Sequence, residues 1–177
     1  LCPVRQAWFA SHTQMGNEPC HVDASDIPSV EKVYYHYGLD FGGAEGMVDV
    51  AAATGGLVVS IAGRTLKGHE KDTPVSARYD VIYILDDRGW YCRYSHLKSF
   101  ETNIRLGERV RMGQKVGELG KEGGSGGWSH FHFDITCRQP SGKWGSEDAY
   151  AYAWEAYVNQ YKPGLIAVAR PHHLAAT

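Results

Sequence analysis

Two of the nine histidines in this chain stand one residue apart in "SHFHFDI" (129–135), a run that otherwise reads as a strand. Successive side chains of a strand alternate faces, so His130 and His132 point one way while Phe131, Phe133 and Ile135 point the other. One face is apolar and the other carries chemistry. Upstream, "HYGLDFGG" sets His36 and Asp40 four residues apart, a spacing that shares one face of a helix or of a strand. Gly38 and the flanking aromatics favour strand or loop, and the stretch lacks the Glu and second His of an HExxH helix. A catalytic zinc takes three protein ligands and keeps a fourth position for water. His36, Asp40 and one histidine of the 130/132 pair offer two imidazoles and a carboxylate, a net positive site that acidifies water and polarises a carbonyl. The other member of the pair and His96, in "YSHL" (94–97), remain to move protons and steady an oxyanion. The residues alone leave open which of His130 and His132 is the ligand.

Such groups need a scaffold, and the middle of the chain supplies short strands. The segments 38–42, 48–53, 56–63, 79–87, 90–97, 109–119 and 130–137 are rich in β-branched and aromatic residues and bounded by Gly, Asp or Pro. They predict a mainly β fold, an antiparallel sheet or sandwich. "DDRG" (86–89) reads as a hairpin turn that makes 79–87 and 90–97 neighbours and puts His96 near the end of a core strand. The Ala-rich segment 145–164 predicts a helix, with Ser146 ahead of acidic residues at its start and Pro163-Gly164 as its stop. Its Tyr150, Tyr152, Trp154, Tyr157 and Tyr161 are expected to pack against the domain, with a sugar-stacking surface as the alternative. The tail adds a short strand and a surface pair, His172 and His173. No internal repeat is evident.

A chain of 177 residues with 43% hydrophobic content holds one well-buried core. A formal net charge of -2 with no Lys/Arg run argues against nucleic acid or an anionic membrane surface as partner, and no apolar stretch is long enough for a membrane-spanning helix. The chain starts at Leu1 without a signal-peptide pattern, which leaves room for an upstream segment removed on export. The four cysteines show no CxxC spacing. Cys2 with Cys20 is the expected disulfide, closing a short irregular loop. Cys92 with Cys137 is left open, because strand parity puts Cys92 on the face of His96 and Cys137 on the face opposite His132.

The ordered set "HYGLDF" (36–41), "YSHL" (94–97), "GERVRMGQKVGELG" (107–120) and "HFHFDI" (130–135) resembles the lysostaphin/LytM-type zinc endopeptidases, a family of bacterial cell-wall peptidases, over residues 34–137. The resemblance implies that His36, Asp40 and His132 bind one Zn2+ per chain and that His96 and His130 are the catalytic pair. It also implies an antiparallel sheet flooring an open groove. The implied activity is a zinc metalloendopeptidase hydrolysing peptide bonds in peptidoglycan cross-links or Gly-rich peptides, secreted, periplasmic or cell-wall associated. A same-fold zinc enzyme acting on polysaccharide, or a non-catalytic cell-wall-binding LytM-like domain, is the alternative.

Two features depart from the family pattern. A Thr-Gly-Pro-type approach to the HxH strand is replaced by "GGSGGWSHFHF", placing Trp128 at the cleft lip as a substrate-binding candidate. Tyr94 is a second candidate, as a donor to the oxyanion. The part after Trp144 is not required by the family core. The organisation expected is an N-terminal arm (1–30), a LytM-like catalytic domain (31–144), and a helix and tail packed on it (145–177). His69, in the loop 67–74, is expected to be exposed, with a role as a lid ligand the alternative.

Overall fold

The computed structural model describes residues 1–4, 9–10, 19–21 and 33–161. The strands are β1 (Phe9–Ala10), β2 (Pro19–His21), β3 (Val33–Tyr35), β4 (Leu39–Gly42), β5 (Asp49–Ala51), β6 (Gly56–Ile61) and β7 (Arg64–Thr65), of which β4, β5 and β6 fall in segments expected from the sequence. They continue as β8 (Ile82–Leu85), β9 (Tyr91–Ser95), β10 (Leu97–Phe100), β11 (Arg109–Val110), β12 (Lys115–Leu119), β13 (His130–Arg138), β14 (Trp144–Glu147) and the helix α1 (Ala149–Tyr161). The large sheet runs β1-β4-β13-β9-β8-β6-β11, with β14 beside β13 and β7 beside β6. A smaller sheet has the order β10-β12-β5, and every pairing is antiparallel. The fold is therefore mainly β, as the sequence predicts. No described helix is long and apolar enough to cross a membrane.

The main core lies between the two sheets. Phe41, Phe131, Phe133, Tyr94, Ile82 and Ile84 of the large sheet meet Val50, Leu97, Val116 and Leu119 of the small one. Phe131 stacks on Phe41 with ring centroids 5.0 Å apart, and burying one such side chain stabilises by roughly 1.5–3 kcal/mol. A second, smaller cluster of Val59, Val81, Tyr83 and Tyr91 lies under Leu66, Val75 and Trp144. The "DDRG" turn forms as expected. Asp86 Oδ1 accepts from the amides of Arg88 and Trp90 at 2.9 and 3.0 Å, and Gly89 takes φ +83°.

The structure corrects several expectations. Residues 109–119 do not form one strand, because a turn at Arg111–Gln114 divides them into β11 and β12. Residues 144–147 pair with the end of β13 rather than opening the helix, and Asp148 caps α1 by accepting from the Tyr150 amide at 2.9 Å. The helix packs a small face, buried Ala149 with half-buried Ala153 and Ala156, against the core. Among its described aromatic side chains Tyr150, Tyr152 and Trp154 are exposed, Trp154 by 55%, Tyr152 still meets Trp90 edge-on, and Tyr157 is half-buried. The aromatic stripe is therefore not the main packing face of the helix, which is the alanine face.

The expected Cys2–Cys20 disulfide is not made. Cys2 is a free thiol, 1% exposed, in the main core beside Val4, and the first residues run along β5 with the Ala51 amide donating to Pro3 O at 2.8 Å. Apolar burial and strand-like bonding hold this end instead. Cys92 and Cys137 are also free and buried. His172, His173 and the tail lie outside the described residues.

Candidate active site

Antiparallel register sets the centre of the site. On β13, His132 stands opposite Asp40 of β4 on one side and Ser95 of β9 on the other. His36 precedes β4, and the chain returns from it to Asp40 through Gly38 at φ +146°. His36 Nε2 lies 3.1 Å from Asp40 Oδ1, and His132 Nδ1 lies 3.0 Å from each of those atoms. Among the described residues this is the one group able to hold a metal ion.

The triangle fits zinc in size and in chemistry. Two ligand atoms on a tetrahedral zinc at its usual bond lengths are roughly 3.3 Å apart, close to all three observed edges. On the far edge of its ring, His132 Nε2 lies 3.1 Å from the Tyr37 carbonyl and 3.2 Å from Asp134 Oδ2. Both are acceptors, so the ring proton belongs on Nε2 and a lone pair on Nδ1 faces Asp40 and His36. Three lone pairs then converge, the condition a cation relieves. Burial pulls His132 down, but Asp134 and Asp40 outweigh it and raise the ring to about 9. Burial raises Asp40, while hydrogen bonds from His132 and His36 win and leave it well below the usual carboxylate range.

His130 and His96 flank the triangle. His130 Nδ1 donates to the Trp128 carbonyl at 3.1 Å, and its Nε2 lies 3.7 Å from Asp40 Oδ1. His96 Nδ1 donates to the Glu122 carbonyl at 2.7 Å, and its ring centroid is 4.9 Å from that of His130. A carbonyl can only accept, so both rings carry their proton on Nδ1 and keep an unprotonated Nε2. Burial is the main cause lowering both, His96 to about 4.

Strand alternation misplaces His96. In β9, Tyr94 and Cys92 face the main core with Phe133 and Ile135, while Arg93 and Ser95 share the His132 face. Residue 96 would continue toward the core, but its φ of +65° reverses the side chain. Cys92 therefore does not share a face with His96. By the same alternation it shares one with Cys137, yet Cys92 is opposite Ile135, and the Cys137 thiol meets Glu147 Oε1 at 3.1 Å.

Trp128 stacks face to face on His130, centroids 3.7 Å apart and planes 15° from parallel, so it walls the site beside that ring. Tyr94 does not reach the groove. It is 0% exposed, packs on Phe131 and Phe133, and its hydroxyl accepts from the Ala53 amide at 2.8 Å on the opposite side of the sheet. Its expected role at the oxyanion is incompatible with that burial. His69 is half-buried, and its Nδ1 is 3.2 Å from Tyr91 Oη rather than near the triangle. Arg78 and Asp80, which contact His96, carry no sequence signal beyond bounding a strand.

The sequence pattern of Peptidase family M23 matches residues 34–143, which span all five of these histidine and aspartate positions. The chain belongs to Peptidase family M23. This is a family of metallopeptidases, and the fold agrees with other M23 structures. The catalytic domain of lysostaphin from Staphylococcus simulans superposes with a TM-score of 0.56 at 20% identity, covering 83% of this chain and 92% of that one. A mutant catalytic domain of the prophage-encoded M23 protein EnpA from Enterococcus faecalis gives 0.53 at 20% identity, covering 81% and 91%. A zinc-containing peptidase from Vibrio cholerae gives 0.55 at 24% identity, covering 81% of this chain and 37% of that longer one. No curated protein sequence matches the chain significantly.

Proposed function

We propose that this M23 chain is a zinc-dependent endopeptidase whose substrates are peptides of bacterial cell-wall cross-links or Gly-rich peptides, acting outside the cytoplasm or at the wall. The observation that carries this reading is the convergence of the His36–Asp40–His132 donors, 3.0–3.1 Å apart, with two further imidazoles beside them. Those three residues would hold one zinc ion, which when bound supplies Lewis acidity that polarises the scissile carbonyl and eases ionisation of water.

The proton work belongs to His96 and His130. Both are neutral and both present an unprotonated Nε2, so either accepts a proton from the attacking water. A ring that has taken that proton becomes a donor to the oxyanion that develops on the carbonyl. Trp128 fixes the plane of His130 and forms an apolar wall for the peptide. Asp134 adds negative charge behind His132.

Elemental analysis and product analysis test the proposal together. The expected result is one zinc per wild-type chain, none in His132→Ala, and new amino termini released from purified peptidoglycan by wild type only. Reducing or unsaturated sugar ends in place of amino termini would refute the peptidase reading, and a wild type without zinc would refute the ligand set.

A further inference from the structure

His96 sits in a backbone conformation that a non-glycine residue adopts only when its surroundings hold it there, and such outliers point toward function. The holding group is Asp80, just ahead of β8. Its carboxylate is 0% exposed, and its Oδ2 accepts from the His96 amide at 3.1 Å and lies 3.4 Å from His96 Nδ1. Its own carbonyl accepts from the Leu97 amide at 3.2 Å, so Asp80 grips the chain on both sides of the His96 side chain. Arg78 forks onto the carboxylate, Nε to Oδ1 at 2.9 Å and Nη2 to Oδ2, which keeps the buried charge paired.

The glycine-rich loop closes over this pair. At Gly123, φ +61°, an added Cβ would lie 2.6 Å from Arg78 Nη2 and 2.6 Å from Asp80 Oδ2, so only glycine lets the loop settle there. The Gly123 amide donates to Tyr79 Oη at 2.9 Å, which ties the loop to the segment that carries Arg78 and Asp80. One residue earlier, the Glu122 carbonyl receives His96 Nδ1–H. The carboxylate thus supports the imidazole twice, through the His96 amide and through the loop that supplies its acceptor.

We propose that Asp80, paired with Arg78 and covered by Gly123, is a positioning residue that fixes the backbone and the ring tautomer of His96 for proton transfer. The inference rests on the reading of His96 as a proton-transfer group, but its structural half stands apart from any activity. With Asp80 in place, Nδ1–H is committed to Glu122 and Nε2 is left to the substrate. Without it, the His96 amide loses a buried acceptor, Arg78 loses its partner, and the left-handed turn relaxes. Both ring nitrogens then become available to the proton.

The test compares zinc-loaded wild type, Asp80→Ala, Asp80→Asn and Gly123→Ala by ring 15N NMR of labelled histidines, with the His96 signals assigned by their loss in His96→Gln. Wild type should show His96 as the Nδ1–H tautomer, and Asp80→Ala should show exchange between tautomers while keeping one zinc. Asp80→Asn retains one oxygen for the His96 amide and should restore part of the wild-type signature. Gly123→Ala, which leaves Asp80 itself intact, should disturb the signature by lifting the loop. On a peptide substrate kcat should fall about 100-fold in Asp80→Ala with KM within about twofold, since positioning of a proton-transfer group acts on the chemical step. A folded, zinc-loaded Asp80→Ala with wild-type His96 tautomer and kcat overturns the proposal. If Asp80→Ala does not fold, a wild-type signature in both Asp80→Asn and Gly123→Ala overturns it equally. A tautomer that depends on Asp80 in a chain that cleaves no peptide would uphold the positioning role and refute the peptidase reading instead.

Discussion

Gly38 joins His36 to Asp40, and replacing it by alanine should damage fold and metal site at once. The residue has φ +146°, and a Cβ built on it would lie 2.5 Å from the Phe133 carbonyl oxygen and 2.8 Å from His132 Nε2. Holding a non-glycine residue in such a region costs about 1–3 kcal/mol and forcing extra volume into a packed site adds about 1–3, so Gly38→Ala should lose about 2–6 kcal/mol. Relief requires β4 to move away from β13 or the His132 ring to turn. Either movement opens the 3.0 Å contacts of His132 Nδ1 with His36 and Asp40, and zinc affinity should fall by at least about tenfold to 100-fold, the scale of losing support to a ligand. The control is Gly142→Ala in the β13–β14 turn, where φ is +76° and nothing lies within 4 Å of the added Cβ. There only the left-handed penalty applies, roughly 1–2 kcal/mol, with zinc affinity unchanged. Urea midpoints of the metal-free proteins give the stability difference, and competition with a chelator gives the affinity. A Gly38→Ala protein that binds zinc like wild type and is no less stable than Gly142→Ala would refute the reasoning.

Two further predictions follow from corrected expectations. Tyr94→Phe removes the acceptor of the buried Ala53 amide and should cost about 1–3 kcal/mol of stability while leaving kcat and KM unchanged; a selective loss of kcat would return Tyr94 to the groove. Burial pushes the Cys92 thiol up to about 12 and raises that of Cys2, so both should resist alkylation of the native protein at neutral pH and react fully, without reductant, once it is denatured. Mass spectrometry of the labelled peptides reads this, and a Cys2 that labels only after reduction would restore a disulfide at that position.

The strands, the hairpin turn at 86–89 and the spacings His36–Asp40 and His130–His132 were legible because they depend on local periodicity and turn chemistry. A period of two puts His130 and His132 on one face wherever β13 ends up, and Phe131 and Phe133 bury the other. Local rules do not record which strand lies next to which. The pairing of β13 between β4 and β9, which brings His132 to Asp40, comes from the whole sheet. The positive φ of His96 defeated the parity rule because its cause, a carboxylate 16 residues earlier, is visible only in three dimensions. The packing face of α1 was misread for a related reason: aromatic spacing marks a stripe, but the contacts between helix and core, which put Ala149, Ala153 and Ala156 inward, are made by residues far away in the chain. The sequence by itself determined the donors and the strands that carry them, since both follow from residue type and short-range geometry. Only the tertiary structure decided which donors meet, which nitrogen of each ring faces the site, and which buried groups hold them, because those depend on contacts between residues far apart in the chain.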